Sequence, residues 1–111
     1  MAADSFIAAL LSIVLVWAGA LNVFAPAFIR AEFKGWGYPD WLRVAVGLTE
    51  WAAAIALMIP AIRLGGCAVA TAVLLGVVVT FLRDGQRMRL EYPLVLLALV
   101  LWLGARSAGW A

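Results

Sequence analysis

The chain has 111 residues, 68% of them hydrophobic and 13% charged, with mean hydropathy +1.09 and net charge +2. A soluble domain is close to half apolar, so the excess points to lipid as solvent, with room for four spans of about 20 residues in one domain. No basic patch on a soluble face offers a nucleic-acid site, and with no histidine and one cysteine, Cys67, the usual haem, copper and zinc ligands and any Cys-x-x-Cys pair are absent.

The hydropathy pattern predicts spans over about residues 5–24, 41–59, 64–82 and 93–105. The first resembles a secretory leader, but Met1-Ala2-Ala3-Asp4 carries no positive charge and the apolar run is longer than a usual signal core. It is read as a retained helix. Ala8, Ser12 and Gly19 are small positions for a close neighbour, and Asn22 near its end is either a satisfied interfacial amide or a ligand contact.

Between the first two spans, Ile29, Phe33 and Trp36 recur at helical spacing while Arg30 and Lys34 share another face. This predicts a short amphipathic helix in the headgroup region. Gly35, Gly37 and Pro39 are expected to break it, and Asp40 to cap the next helix beside the interfacial Trp41. Arg30, Phe33, Lys34, Trp36 and Tyr38 either pack on the membrane surface or form a lid over an intramembrane cavity.

The second span, ended by Pro60, carries Glu50 near its middle. An ionisable group in hydrocarbon costs a few kcal/mol or more, roughly, and is a functional-site candidate by default. Arg43, Gly47, Glu50 and Ala54 share one face. Helical rise puts Glu50 about 13 Å below the interface, with Ser12 and Thr71 at comparable depth as candidate partners. Arg43 is about 10 Å away along the helix and leans toward the interface, so no direct contact with Glu50 is expected.

The link from Pro60 to Gly65 is short enough to make the second and third spans antiparallel neighbours. In the third span Ala68, Ala72, Gly76 and Thr80 repeat every four residues, a stripe suited to close approach of a helix from the bundle or from a second copy. Cys67 reads as a small buried hydrophobe. Arg83, Asp84, Arg87, Arg89 and Glu91 form a second polar connection, read as a solvated helical extension. Pro93 opens the fourth span, with Tyr92 at one interface, Trp102 or Trp110 near the other, and Arg106 snorkelling to the surface.

Arg30, Lys34, Arg43, Arg83, Arg87 and Arg89 fall on one side of the membrane, Arg63 and Arg106 on the other. The bias predicts cytoplasmic connections between spans one and two and between spans three and four, with both termini outside. The fold expected is an all-α integral membrane four-helix bundle, with a short interfacial helix between its first two spans.

Phe33-Lys34, Gly37-Tyr38-Pro39, Trp41-Leu42, Gly47, Glu50 and Pro60 together resemble the DoxX-like family of small bacterial four-helix membrane proteins. Its glycine–proline turn followed by a Gly-x-x-Glu helix is matched by Gly37, Pro39, Gly47 and Glu50; where the family often has a second glycine after the Glu, this chain has Ala53 and Ala54. Most members have no assigned activity. Some are subunits of thiosulfate:quinone oxidoreductase or of other membrane oxidoreductase complexes, and distant eukaryotic relatives act in receptor assembly. The resemblance implies a bacterial inner-membrane protein, with quinone or another lipophilic molecule as ligand, and membrane lipids, a redox subunit or a second copy as partners.

Three functions remain open: an accessory or quinone-facing oxidoreductase subunit, a binding or transport module for a lipophilic molecule, and a structural or assembly partner without a ligand. Glu50, Gly47, Ser12, Thr71, Arg43 and Asn22 are the candidate ligand or proton site. Glu50 could serve as a protonated hydrogen-bond donor between helices, as an ionisable group in a cavity, or as a contact to a partner subunit. No catalytic constellation and no metal site is visible, since one Glu without a second carboxylate, His or Lys beside it does not make one.

Overall fold

A computed structural model describes residues 2–109, so Trp110 lies outside the described residues. It is all-α: helices α1 (Ala2–Phe24), α2 (Ala27–Trp36), α3 (Asp40–Met58), α4 (Arg63–Arg83) and α5 (Glu91–Ser107), joined in part by one-turn 3-10 segments at Pro60–Ile62 and Arg87–Leu90. Among the described residues four helical segments are long and apolar enough to cross a membrane: Ala3–Phe24, Asp40–Met58, Pro60–Arg83 and Arg87–Ser107. The long axis of 42 Å suits a hydrocarbon core of about 30 Å with its interfacial zones.

The four long helices pack in the order α1, α3, α4, α5, and α5 returns to α1 to close the ring. Small residues do much of the packing. Ala8, Ala53, Ala54, Cys67 and Ala70 are buried beside Leu11, Leu57, Val100 and Leu103, while Phe6, Ile13, Trp17 and Ile55 point outward. Lipid tails are as apolar as leucine, so burying bulk gains little in a membrane and close backbone approach decides the interfaces. Cys67 is a free, buried thiol, as its surroundings in the sequence suggested.

α1 ends where Ala25 turns to φ 48°, donating its N–H to the Leu21 carbonyl before Pro26 redirects the chain. α2 then runs through Gly35. Helix propensity alone disfavours glycine by about 1 kcal/mol, too little to end a helix anchored at both ends. The stop is Gly37, whose φ of 80° lets its own N–H and that of Tyr38 return to the Lys34 and Phe33 carbonyls. Pro39 occupies the cap position of α3 and Asp40 is already helical, with no side-chain capping bond. The cap is thus one residue earlier than expected, since the proline's extended backbone starts the helix without a polar side chain.

One further expectation is corrected, and the third-span stripe is narrowed to its second-copy alternative, since Ala68, Ala72 and Gly76 face away from the bundle. The polar connection after α4 is not a helical extension: Asp84 caps α4, Gly85 turns at φ 71°, and a 3-10 segment leads into α5 two residues before Pro93. The Ala68, Ala72 and Gly76 positions face outward, and a Cβ at Gly76 would meet nothing within 4 Å. Gly66, Cys67, Ala70 and Leu74 face the bundle instead, with Gly66 set against the Ala56–Leu57 backbone of α3. Both rows carry small residues at four-residue spacing, so the sequence pattern alone does not choose between them.

Ion pairs tie down the periphery. Asp4 in the first turn of α1 accepts from Arg106 in the last turn of α5 at 3.1 Å, so Arg106 is anchored rather than free to snorkel. Arg89 pairs with Glu32 of α2 through both nitrogens, at 2.5 and 3.3 Å, with its guanidinium 4.4 Å from the Phe81 ring centroid. The pair is partly exposed, so Arg89→Ala is expected to cost only about 1–2 kcal/mol, combining a peripheral ion pair with a cation–π contact. The loss should appear as faster amide exchange in α2, with the four long helices unaffected. Unchanged α2 exchange would mean that the aromatic contacts alone hold it.

Candidate functional site

α1 and α3 form the tightest helix pair, and their register builds the site. Running antiparallel, they place Ser12 opposite Ala54, Val16 opposite Trp51, Gly19 opposite Gly47 and Asn22 opposite Arg43. At the first two levels a side chain bonds a facing carbonyl: Ser12 Oγ donates to Ala54 O at 2.9 Å and Trp51 Nε1 to Val16 O at 3.1 Å. At the third the backbones nearly touch. A Cβ at Gly47 would lie 2.9 Å from Gly19 O, and one at Gly19 the same distance from Gly47 O.

At the fourth level lie the ionisable groups. Glu50 and Arg43 are 6% and 4% exposed, so both ionisable side chains sit in the protein interior. Asn22 Nδ2 donates to Glu50 Oε1 at 2.6 Å, while the Asn22 carbonyl, with that of Val23, accepts from Arg43 Nη1. Arg43 thereby caps the C-terminal end of α1, where unpaired carbonyls and the helix dipole favour a cation. Asn22 links the two charged residues by amide and backbone carbonyl. Among the described residues Arg43 Nε is the one sealed side-chain nitrogen or oxygen without a hydrogen-bond partner. Glu50 Oε2 accepts no hydrogen bond from a described residue either, and it is not among the sealed atoms.

The candidates are therefore only partly assembled. Glu50, Gly47, Asn22 and Arg43 come together. Ser12 lies on the same helix pair, but its hydroxyl is engaged by Ala54, and Thr71 bonds the Cys67 carbonyl of its own helix. The equal-depth argument pointed to these two, and side-chain direction decides against them. Glu50 leans toward the start of α3 and Asn22 leans back along α1 to meet it, whereas Ser12, on the other side of Glu50, leans the same way as Asn22 and so away from the carboxyl. Arg43 and Glu50 form no ion pair.

The five lid candidates also separate. Phe33, Trp36 and Tyr38 form an aromatic cluster against Phe81 of α4, with centroids 5.1–6.2 Å apart. Tyr38 Oη is 2.8 Å from Thr80 Oγ1, and Trp36 Nε1 donates to Asp84 at 3.3 Å. Arg30 returns to the Ala25 carbonyl and Lys34 is exposed, so these two do not join the cluster. Sequence reasoning did not select Glu32, Trp51 or Phe81, and it placed Thr80 in the stripe of the third span rather than against Tyr38. Phe81 lies among the apolar residues of a span, and nothing in that pattern marks it as the plate on which α2 rests.

A four-span helical bundle with a buried Glu on its second span defines a class of small multi-pass membrane protein. The chain belongs to the DoxX-like family, whose model matches residues 6–103. Comparison with curated proteins and with solved structures finds no match.

Proposed function

We propose that this chain is an accessory, quinone-associated subunit of a bacterial inner-membrane oxidoreductase system, with Glu50 as its intramembrane polar centre. The carrying observation is the buried Glu50 carboxyl, with one oxygen held by Asn22 and the other without a partner among the described residues. The residue suits a quinone head: Glu50 Oε2, which is not sealed, can accept a hydrogen bond from a quinol hydroxyl or, when protonated, donate one to a quinone oxygen. A bound quinone would carry the electrons. The chain's own part is to orient that head and handle its proton, in keeping with the absence of histidine and of any metal-holding cluster among the described residues. A redox subunit is the proposed protein partner. The Lys/Arg bias supports cytoplasmic α1–α3 and α4–α5 connections, with the termini outside.

One observation favours a second, structural reading. The Asn22–Glu50 contact continues the line of Ser12–Ala54, Trp51–Val16 and Gly19–Gly47 contacts, so it also serves as the last clasp of one helix pair. Glu50→Gln separates the two. Its amide oxygen still accepts from Asn22, so thermal stability should be unchanged, while quinone retained by the purified protein in native mass spectrometry should be lost. Glu50→Leu should also lower stability, by about 1–3 kcal/mol, because it leaves the Asn22 amide unpartnered. If the wild type carries no quinone, or Gln retains it fully, the quinone reading fails and the clasp stands. Another co-purifying lipophile would point to the binding or transport module.

A further inference from the structure

At the headgroup-level end of the bundle, α2 and the end of α4 enclose a cleft of about 170 Å³ lined by Gly35, Trp36, Tyr38, Thr80, Arg83 and Asp84. Arg83 and Asp84 are adjacent in sequence and of opposite charge, yet they do not pair with each other. Each is held by a different aromatic from the other wall. Arg83 Nη1 donates to Tyr38 Oη at 3.3 Å with its guanidinium 5.8 Å from the Tyr38 ring centroid, while Asp84 Oδ2 accepts from Trp36 Nε1 at 3.3 Å and from Gln86. Adjacent positions at a helix end do not face each other, so the two charges stay separate and the cleft presents both a cation and an anion. Gly35 leaves the rim open, since a Cβ there would meet nothing within 4 Å.

We propose that this cleft binds the zwitterionic headgroup of a bilayer phosphatidylethanolamine, with the phosphate on Arg83 and the primary ammonium on Asp84. The chemistry fits on three counts. Arg83 has guanidinium N–H groups beyond the one given to Tyr38, and a phosphate takes such donors in pairs. Asp84 Oδ1 is free of the contacts that occupy Oδ2, and a primary ammonium has three N–H donors to offer it. The site also lies at the depth where Trp and Tyr sit among headgroups. A choline headgroup offers no N–H to Asp84. It would have to rely on aromatic faces, and Arg83 already lies against that of Tyr38. A glycerol headgroup presents no cation at all.

The test uses the full chain in bilayers containing equal amounts of phosphatidylethanolamine, phosphatidylglycerol and phosphatidylcholine, released for native mass spectrometry. The wild type should retain phosphatidylethanolamine with about fivefold preference over each of the others, the scale of one exposed charge pair. Asp84→Asn should reduce that lipid to the level of phosphatidylcholine, and Arg83→Gln should weaken retention of all three. Both positions are exposed, so the fold should survive, and the wild-type lipid competition decides the matter even if a variant does not fold. Equal retention of the three lipids by the wild type overturns the proposal, as does an Asp84→Asn protein that keeps the preference. Soluble phosphoethanolamine provides the remaining arm: if it binds the wild type in phosphatidylcholine-only bilayers while no lipid preference exists, the ligand is a soluble phosphoamine and the lipid assignment is wrong.

Discussion

Gly47→Ala should destabilise the bundle by about 3 kcal/mol, at the upper end of what an inserted methyl costs in a close-packed interior. The added Cβ would lie 2.8 Å from Val23 Cγ2, 2.9 Å from Gly19 O and 3.0 Å from Asn22 Cβ. A valine methyl can rotate away. The Gly19 carbonyl belongs to the backbone of α1 and cannot move without separating the helices. Separation would also stretch the Ser12, Trp51 and Asn22 bonds along the same seam, so the cost spreads beyond the contact itself. Gly19→Ala meets the Gly47 carbonyl from the other side and the Trp51 indole as well, and should be similarly severe. Gly76→Ala is the control: it faces open space, so no clash opposes the gain in helix propensity, and it should be neutral to stabilising by up to about 1 kcal/mol. Reversible unfolding in mixed micelles measures all three, and a Gly47→Ala protein as stable as Gly76→Ala would show that the helices do not cross there.

That crossing illustrates which parts of the architecture the sequence carries and which it does not. Span positions follow from composition, because only helices long and apolar enough can satisfy their backbone within lipid. The inward face of α3 was also legible, since Arg43, Gly47, Glu50 and Ala54 recur at helical spacing and all four are buried. The partner of Glu50 was not. Depth is a sum over residues of one helix and can be estimated from its start, but a contact also depends on which way two side chains lean. Asn22 and Glu50 lean toward each other; Ser12 and Glu50 lean apart. The outward face of α4 was illegible for a different reason: when every position is apolar, periodicity does not distinguish lipid from protein. The Arg89–Glu32 pair joins residues 57 positions apart, and it exists only because the turn at Gly85 and the 3-10 segment carry Arg89 back to α2.

Arg43→Met is expected to cost about 2–4 kcal/mol, and the sign of the effect comes from weighing two opposed terms. Against the arginine stands desolvation: it is 4% exposed, it has no carboxylate partner, and its Nε is orphaned. Replacing such a charge by an apolar group of similar length is in some proteins neutral or stabilising. In its favour are the bonds to the Asn22 and Val23 carbonyls, charge-assisted and placed at the negative end of α1. Methionine would leave those carbonyls without partners, each at a cost of about 1–3 kcal/mol when buried. Two abandoned acceptors plus the lost dipole interaction outweigh one relieved N–H, so the capping term should win. Lysine keeps the charge but not the planar fork, and should recover part of the loss. The same geometry makes the effect reach Glu50. Asn22 is held by its carbonyl and works through its amide, so freeing the carbonyl loosens the donor that positions Oε1. Arg43→Met and Asn22→Ala should therefore be non-additive, with the double variant less destabilised than the two single losses together. Strict additivity would mean that Arg43 caps α1 without positioning Asn22 for Glu50, and the buried pair would then owe its geometry to the Gly19–Gly47 crossing alone.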